Sequence, residues 1–207
     1  MYGASFMKLI GSMRSPYVRR VAISARFLGI EYTFRELSTF RNKEVFEKIN
    51  PLLKVPTVIC DDETVLVDSS VIIDYMETLA KRRLLPSTLE AQVKVFRLSG
   101  IALIAMEKIV QIIYETEHRP ERLQYQDWKD RIEHQLRMSF DLLEGGFAKC
   151  SLWVAGDAIS QADISTAIVW RFAQEITPEI ADAADYPNLS EFSKRAERLE
   201  EFSACPL

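Results

Sequence analysis

Asn50-Pro51-Leu52-Leu53-Lys54-Val55-Pro56-Thr57-Val58-Ile59, followed after the polar turn Asp61-Asp62-Glu63-Thr64 by a second apolar run that ends at Asp68-Ser69-Ser70, is the stretch that decides the fold. Pro56 stands at the mouth of a strand. It cannot donate to a ladder and it forces Val55 to be extended, so the pattern predicts a strand end whose backbone stays open to a short extended ligand. Asp68 closes the second run and Ser69 opens a helix, which brings backbone and hydroxyl donors to one point in front of the helix's positive end. Such a point suits a carboxylate.

Towards the N-terminus, Met7–Gly11 reads as a short strand, and from Pro16 the apolar residues Val18, Val21, Ala22, Ala25 and Leu28 recur at helical spacing up to Gly29. Tyr32-Thr33-Phe34-Arg35-Glu36-Leu37 then alternates in the extended manner, completing a βαβ unit whose two strands should be parallel. A short helix at 43–49 leads into the Val55-Pro56 turn, residues 57–60 and 65–67 form a hairpin, and a helix covers 69–79. This order predicts a thioredoxin-like α/β domain over residues 1–80, with a small mixed sheet and helices on both sides. Residues 81–89, with Pro86 and Ser87, form a linker. No strand-like alternation follows, so residues 90–207 are expected to be an all-α domain with helices at 91–117, 122–149, 161–173 and 189–199. Pro120 separates the first two, and Gly145-Gly146 is expected to bend the second near its end.

Composition narrows the function classes. With 48% hydrophobic residues in 207, the chain can bury substantial cores. A net charge of −4 gives no whole-chain basic field for nucleic acid or an anionic membrane, and Lys81-Arg82-Arg83 reads as a solvated connector. No apolar run approaches the roughly 20 residues of a membrane span, and no charged start precedes an apolar core, so a cytoplasmic protein is expected. Cys60, Cys150 and Cys205 are odd in number and far apart, and read as reduced thiols. His118 and His134 have no matching ligand cluster, so no metal is expected.

In Gly156-Asp157-Ala158-Ile159-Ser160-Gln161-Ala162-Asp163, the Ser and Asp three apart before an apolar helix imitate a catalytic pair. They read instead as a reciprocal capping box, with Ser160 as N-cap and Asp163 at the third helical position, a device that contributes about 1 kcal/mol.

At the Val55-Pro56 edge, at Asp68-Ser69 and in the turn Ser12-Met13-Arg14-Ser15-Pro16-Tyr17-Val18-Arg19, the chain resembles the glutathione transferases, and the Ser-Pro-Tyr of that turn resembles the serine-type members, the plant tau class and its bacterial relatives. The run 156–163 is similar to the capping box of that family's helical domain. The resemblance implies glutathione as cosubstrate, no metal, and a two-fold homodimer. It implies that Val55 pairs with the cysteinyl backbone of glutathione beside a cis Pro56, that Asp68 and Ser69 hold the γ-glutamyl end, and that Lys54 and Lys43 are candidates for the glycine carboxylate. It also implies an acceptor pocket between the domains for a small hydrophobic electrophile, lined by Met13 and by Met106, Val110 and Tyr114, which fall four apart on the first long helix.

The chemistry so implied needs a thiolate, which a free thiol of pKa near 8.5 supplies only as a few per cent at neutral pH. Each unit of lowering needs about 1.4 kcal/mol of extra anion stabilisation. Ser15, just before Pro16 at a strand-to-helix turn, is by local sequence a plain N-cap; with the Val-Pro and Asp-Ser elements on the same domain it becomes the candidate catalytic hydroxyl. Ser12 lies in the same turn and remains the alternative. The turn contains no cysteine, which disfavours thiol transfer through a mixed disulfide. Two classes stand: a glutathione S-transferase, or a related glutathione-dependent peroxidase or isomerase; and a non-catalytic regulator resembling the stringent-starvation proteins that bind RNA polymerase. Retention of Ser15, Lys54, Asp68 and Ser69 together favours the enzyme.

Overall fold

The computed structural model describes residues 7–150 and 152–207, and the chain divides into two compact units. In the first, strands β1 (Met7–Gly11), β2 (Tyr32–Glu36), β3 (Thr57–Ile59) and β4 (Val65–Leu66) form a four-stranded sheet in the order β2-β1-β3-β4. β1 runs parallel to β2 and antiparallel to β3, and β3 and β4 form the hairpin. Helix α1 (Pro16–Leu28) makes the crossover between the parallel strands. It starts on Pro16 because the missing N–H would be unsatisfied there in any case, and stops at Gly29, which takes the left-handed conformation (φ 69°). Helix α2 (Lys43–Glu47) is shorter than its apolar pattern, holding on through Phe46, which is buried against Ile10 and Leu37. Helix α3 (Ser69–Ala80) follows β4.

The second unit, Leu85–Arg198, is helical. Helix α4 (Leu89–Ile113) starts at the N-cap Thr88 and passes into a π-helical turn, Tyr114–His118. Buried Glu115 ties that turn down by accepting from Arg119 Nε and from the backbone N–H of Tyr125, both at 2.8 Å. A 3₁₀ turn (Glu121–Leu123) leads to helix α5 (Gln126–Phe147), which continues through Gly145-Gly146 without a break. The pair has a packing role: a Cβ on Gly146 would meet Leu98 of α4 at 2.6 Å. Helices α6 (Gln161–Ile176) and α7 (Pro187–Glu197) complete the unit around edge-on contacts among Phe140, Trp170 and Tyr186. Ser160 and Asp163 form the capping box read from sequence. The fully buried Asp163 accepts from Ser160 N–H (2.9 Å), Ser160 Oγ (2.6 Å) and Val154 N–H (2.8 Å). Burial pushes its carboxyl up, and those donors oppose the shift.

The end of the chain departs from the expectation of one helical block over 90–207. Leu199–Leu207, with helix α8 (Glu200–Ser203), belongs to the first unit. The cause is Arg19 on α1: its buried guanidinium donates from Nε to the Cys205 carbonyl at 2.7 Å and stands 5.8 Å from the centre of the Phe202 ring, while Phe27 meets the same ring edge-on. A buried cation requires such partners, and the tail supplies them. Among the described residues no helix is long and apolar enough to cross a membrane.

Candidate functional site

Gly11 ends β1 with φ 155°, and a Cβ there would meet Val18 at 2.5 Å and the Cβ of Val55 at 3.3 Å. Only a glycine lets the start of α1 and the 50–57 loop close on the end of β1 this tightly. The turn carrying Ser12, Met13 and Ser15 is thereby set beside Val55. Ser15 is the N-cap of α1, accepting from Val18 N–H at 3.4 Å, and its own N–H donates to the Ser12 carbonyl at 2.9 Å. The capping bond is long, so the hydroxyl is lightly engaged as an acceptor and its hydrogen remains for another partner. Ser12 differs: its Oγ donates to Glu36 Oε1 at 2.9 Å, so its hydrogen is already committed to a carboxylate. Met13 is half-buried in the same turn.

The loop before Pro56 is pinned by a residue that the sequence reading quoted but gave no role. Buried Asn50 donates from Nδ2 to Thr57 Oγ1 (2.9 Å) and to the Lys54 carbonyl (3.3 Å), while its Oδ1 accepts from Leu52 N–H (3.0 Å). Thr57 Oγ1 closes the ring on the Lys54 carbonyl at 2.7 Å. These bonds hold Leu53 in the left-handed conformation (φ 51°), which a non-glycine residue adopts only under such constraint. The Val55-Pro56 peptide is cis, as the resemblance implied, and among the described residues the Val55 backbone makes no hydrogen bond. Lys54 and Lys43 are both exposed, Lys43 at the first position of α2.

At the start of α3, Asp68 is the N-cap and its Oδ1 accepts from Ser70 N–H at 2.8 Å. Beneath it lies Arg20 of α1, buried, whose Nη1 donates to Ser69 Oγ and Ser70 Oγ, each at 3.0 Å. Burial lowers the Arg20 pKa to about 10, with Asp68 the leading charge that opposes the shift. Neither Arg20 nor Ser70 was singled out from sequence; the available signal was an Arg-Arg pair between the buried Val18 and Val21. Helix α1 thus joins the Ser15 turn at its first residue to the Asp68-Ser69-Ser70 corner one turn later.

Burial pushes the thiols of Cys60, Cys150 and Cys205 above the usual cysteine value, so the protein's own thiols are poor nucleophiles at neutral pH. Of the residues proposed to line an acceptor pocket on α4 and just beyond it, Met106 is fully buried and serves packing, Val110 is half-buried, and Tyr114 is 44% exposed with its ring edge-on to His118.

Comparison with known proteins agrees with this architecture. Family models described as the N-terminal and C-terminal domains of glutathione S-transferase match residues 9–83 and 126–195. The uncharacterized GST-like protein YibF of Escherichia coli (strain K12) is 29% identical over 140 residues, covering 67% of this chain and 69% of that protein. Among solved structures, a glutathione S-transferase of Methylobacterium radiotolerans in complex with glutathione sulfonate superposes with a TM-score of 0.88 at 22% identity, covering 97% of this chain and 94% of that one. One from Methylobacillus flagellatus with GSH bound gives 0.87 at 24% identity, covering 97% and 100%. With both domain models matched in order along a thioredoxin-like unit and a helical unit, the chain belongs to the glutathione S-transferase family.

Proposed function

We propose that this protein binds glutathione and adds its thiolate to a small hydrophobic electrophile. The observation that carries the reading is the Val55 backbone, unpaired among the described residues and packed against Gly11, which leads into the turn that bears the lightly engaged Ser15 hydroxyl, on the same unit as a capped helix start. The cysteinyl part of the tripeptide pairs with Val55 next to Pro56. Its γ-glutamyl carboxylate meets Ser69 and the N–H groups at the start of α3, and Asp68 takes the γ-glutamyl ammonium. Lys54 and Lys43 serve the glycine carboxylate. Ser15 donates to the sulfur and, with the positive end of α1, favours the thiolate over the thiol. Ser12, whose hydrogen Glu36 holds, shapes the turn. The electrophile meets half-buried Met13 in the turn that follows β1. Glutathione sulfonate and GSH in the two structural relatives support the choice of thiol. The active form is a homodimer.

Calorimetric titration with glutathione tests the reading: saturable binding of micromolar to millimolar strength, about −8 to −4 kcal/mol, is expected. A flat titration at millimolar glutathione overturns it, and would leave a non-catalytic regulator of the same fold.

A further inference from the structure

A hollow of about 350 Å³ in the second unit is lined by Arg171 and Gln174 of α6, by Ser193, Lys194 and Glu197 of α7, and by Arg198 just beyond it. The chain as a whole carries a net charge of −4, yet three cations here face one carboxylate. Buried Ser193 donates from Oγ to the Ala167 carbonyl at 3.2 Å, which pins α7 to α6 beside the hollow and holds its two walls in place.

Two of the cations already serve α7. Lys194 and Arg198 stand at its carboxyl end, where positive charge offsets the helix dipole, and Glu191, outside the lining, bonds Lys194 at 2.8 Å and is also drawn to Arg198. Arg171 has no such duty. It lies within α6, well before the last turn, half-buried although its sequence neighbours Trp170 and Phe172 are fully inside, and among the described residues no hydrogen bond, ion pair or ring contact engages its side chain. The amide of Gln174, also half-buried, is likewise unengaged. Exposed Glu175, four residues on from Arg171, lies outside the lining.

We propose that this hollow binds a small molecule bearing a phosphate group. Each guanidinium offers five donors in a fixed fork, the ammonium offers three and the amide two, so donors far outnumber acceptors and a group with several anionic oxygens satisfies more of them than a carboxylate does. A concave wall of one sign also focuses the field on such a ligand. The volume, at the lower end of ligand cavities, admits a phosphate with a short organic part, and a nucleic-acid backbone would instead need cations repeated along a surface.

Calorimetric titration of the full chain with inorganic phosphate and with pyrophosphate, at an ionic strength held constant with sodium chloride, tests the proposal. Saturable binding to a single site is expected, tighter for pyrophosphate. Arg171→Gln should weaken pyrophosphate binding about tenfold or more and Arg198→Gln several-fold, while Arg122→Gln, which removes an exposed cation outside the hollow, should change it by less than about twofold. Glu197→Gln should tighten binding about two- to fivefold, because it removes the opposing charge. If Arg171→Gln does not fold, the Arg198 and Glu197 variants decide the matter. Absence of saturable binding, equal losses in the hollow variants and Arg122→Gln, or weaker binding in Glu197→Gln would each overturn the site. The glutathione reading is untouched by either result, since none of these residues enters it.

Discussion

The hydroxyls of Ser12 and Ser15 share a turn but not a fate. Glu36 engages the first as donor, whereas the second is held only by a 3.4 Å cap from Val18 N–H. If Ser15 steadies the thiolate, Ser15→Ala should slow conjugation of an aryl halide by about ten- to a thousandfold at neutral pH, with glutathione affinity nearly unchanged. The defect should shrink as pH rises, because solvent then removes the proton that Ser15 otherwise helps to release. Ser12→Ala should act mainly through the turn. The reverse pattern, activity lost with Ser12 and kept without Ser15, would exchange their roles; an earlier melt without a kinetic defect would leave Ser15 as a cap. At this scale the sequence showed what is local. Ser15 before Pro16 and Ser160 before Asp163 are legible because a cap needs only its neighbours. Arg20 was not, since its partners lie some fifty residues on and nothing in a helical stripe says that a cation points inward.

Among the elements, β1, α1 and β2 were legible because the apolar period changes from 2 to 3.6 and back within one short stretch, and Gly29 and Pro16 mark the helix ends. In the second long helix the neighbouring Gly145-Gly146 suggest a bend, and α5 runs unbroken through them. The two differ in what surrounds them: nothing lies within 4 Å of a Cβ on Gly145, whereas one on Gly146 runs into Leu98. Gly145→Ala should therefore stabilise the protein by about 0.5–1 kcal/mol, the ordinary helix-propensity gain, and Gly146→Ala should gain less or destabilise as Leu98 is displaced. Urea melts of the two variants would show the contrast, and equal gains would mean that Leu98 moves aside freely. Inter-helix approach of this kind is invisible to periodicity, which records which face is apolar and not how near its partner comes.

For the molecule as a whole, α4 leaves an apolar stripe uncovered. Leu89 (74% exposed), Val93 (57%), Phe96 (55%) and Ile104 (48%) recur at helical spacing, with Met138 and Leu142 exposed on α5. Surface of this kind fits the proposed homodimer. Sedimentation should give about twice 23.8 kDa at micromolar concentration, and Phe96→Glu should shift the protein towards monomer. A wild type that stays monomeric over that range would set the homodimer aside. The division of the chain was harder to read than its halves, because Phe202 and Cys205 look like the end of a helical block until Arg19 is seen to hold them. That return has a consequence for biosynthesis. The first unit to leave the ribosome is the last to be finished: it must wait, on the order of ten seconds at roughly 5–20 residues per second, while the whole helical unit is made. Until then the Arg19 guanidinium lacks the Cys205 carbonyl and the Phe202 ring, so the first unit cannot close before the helical unit has been synthesised.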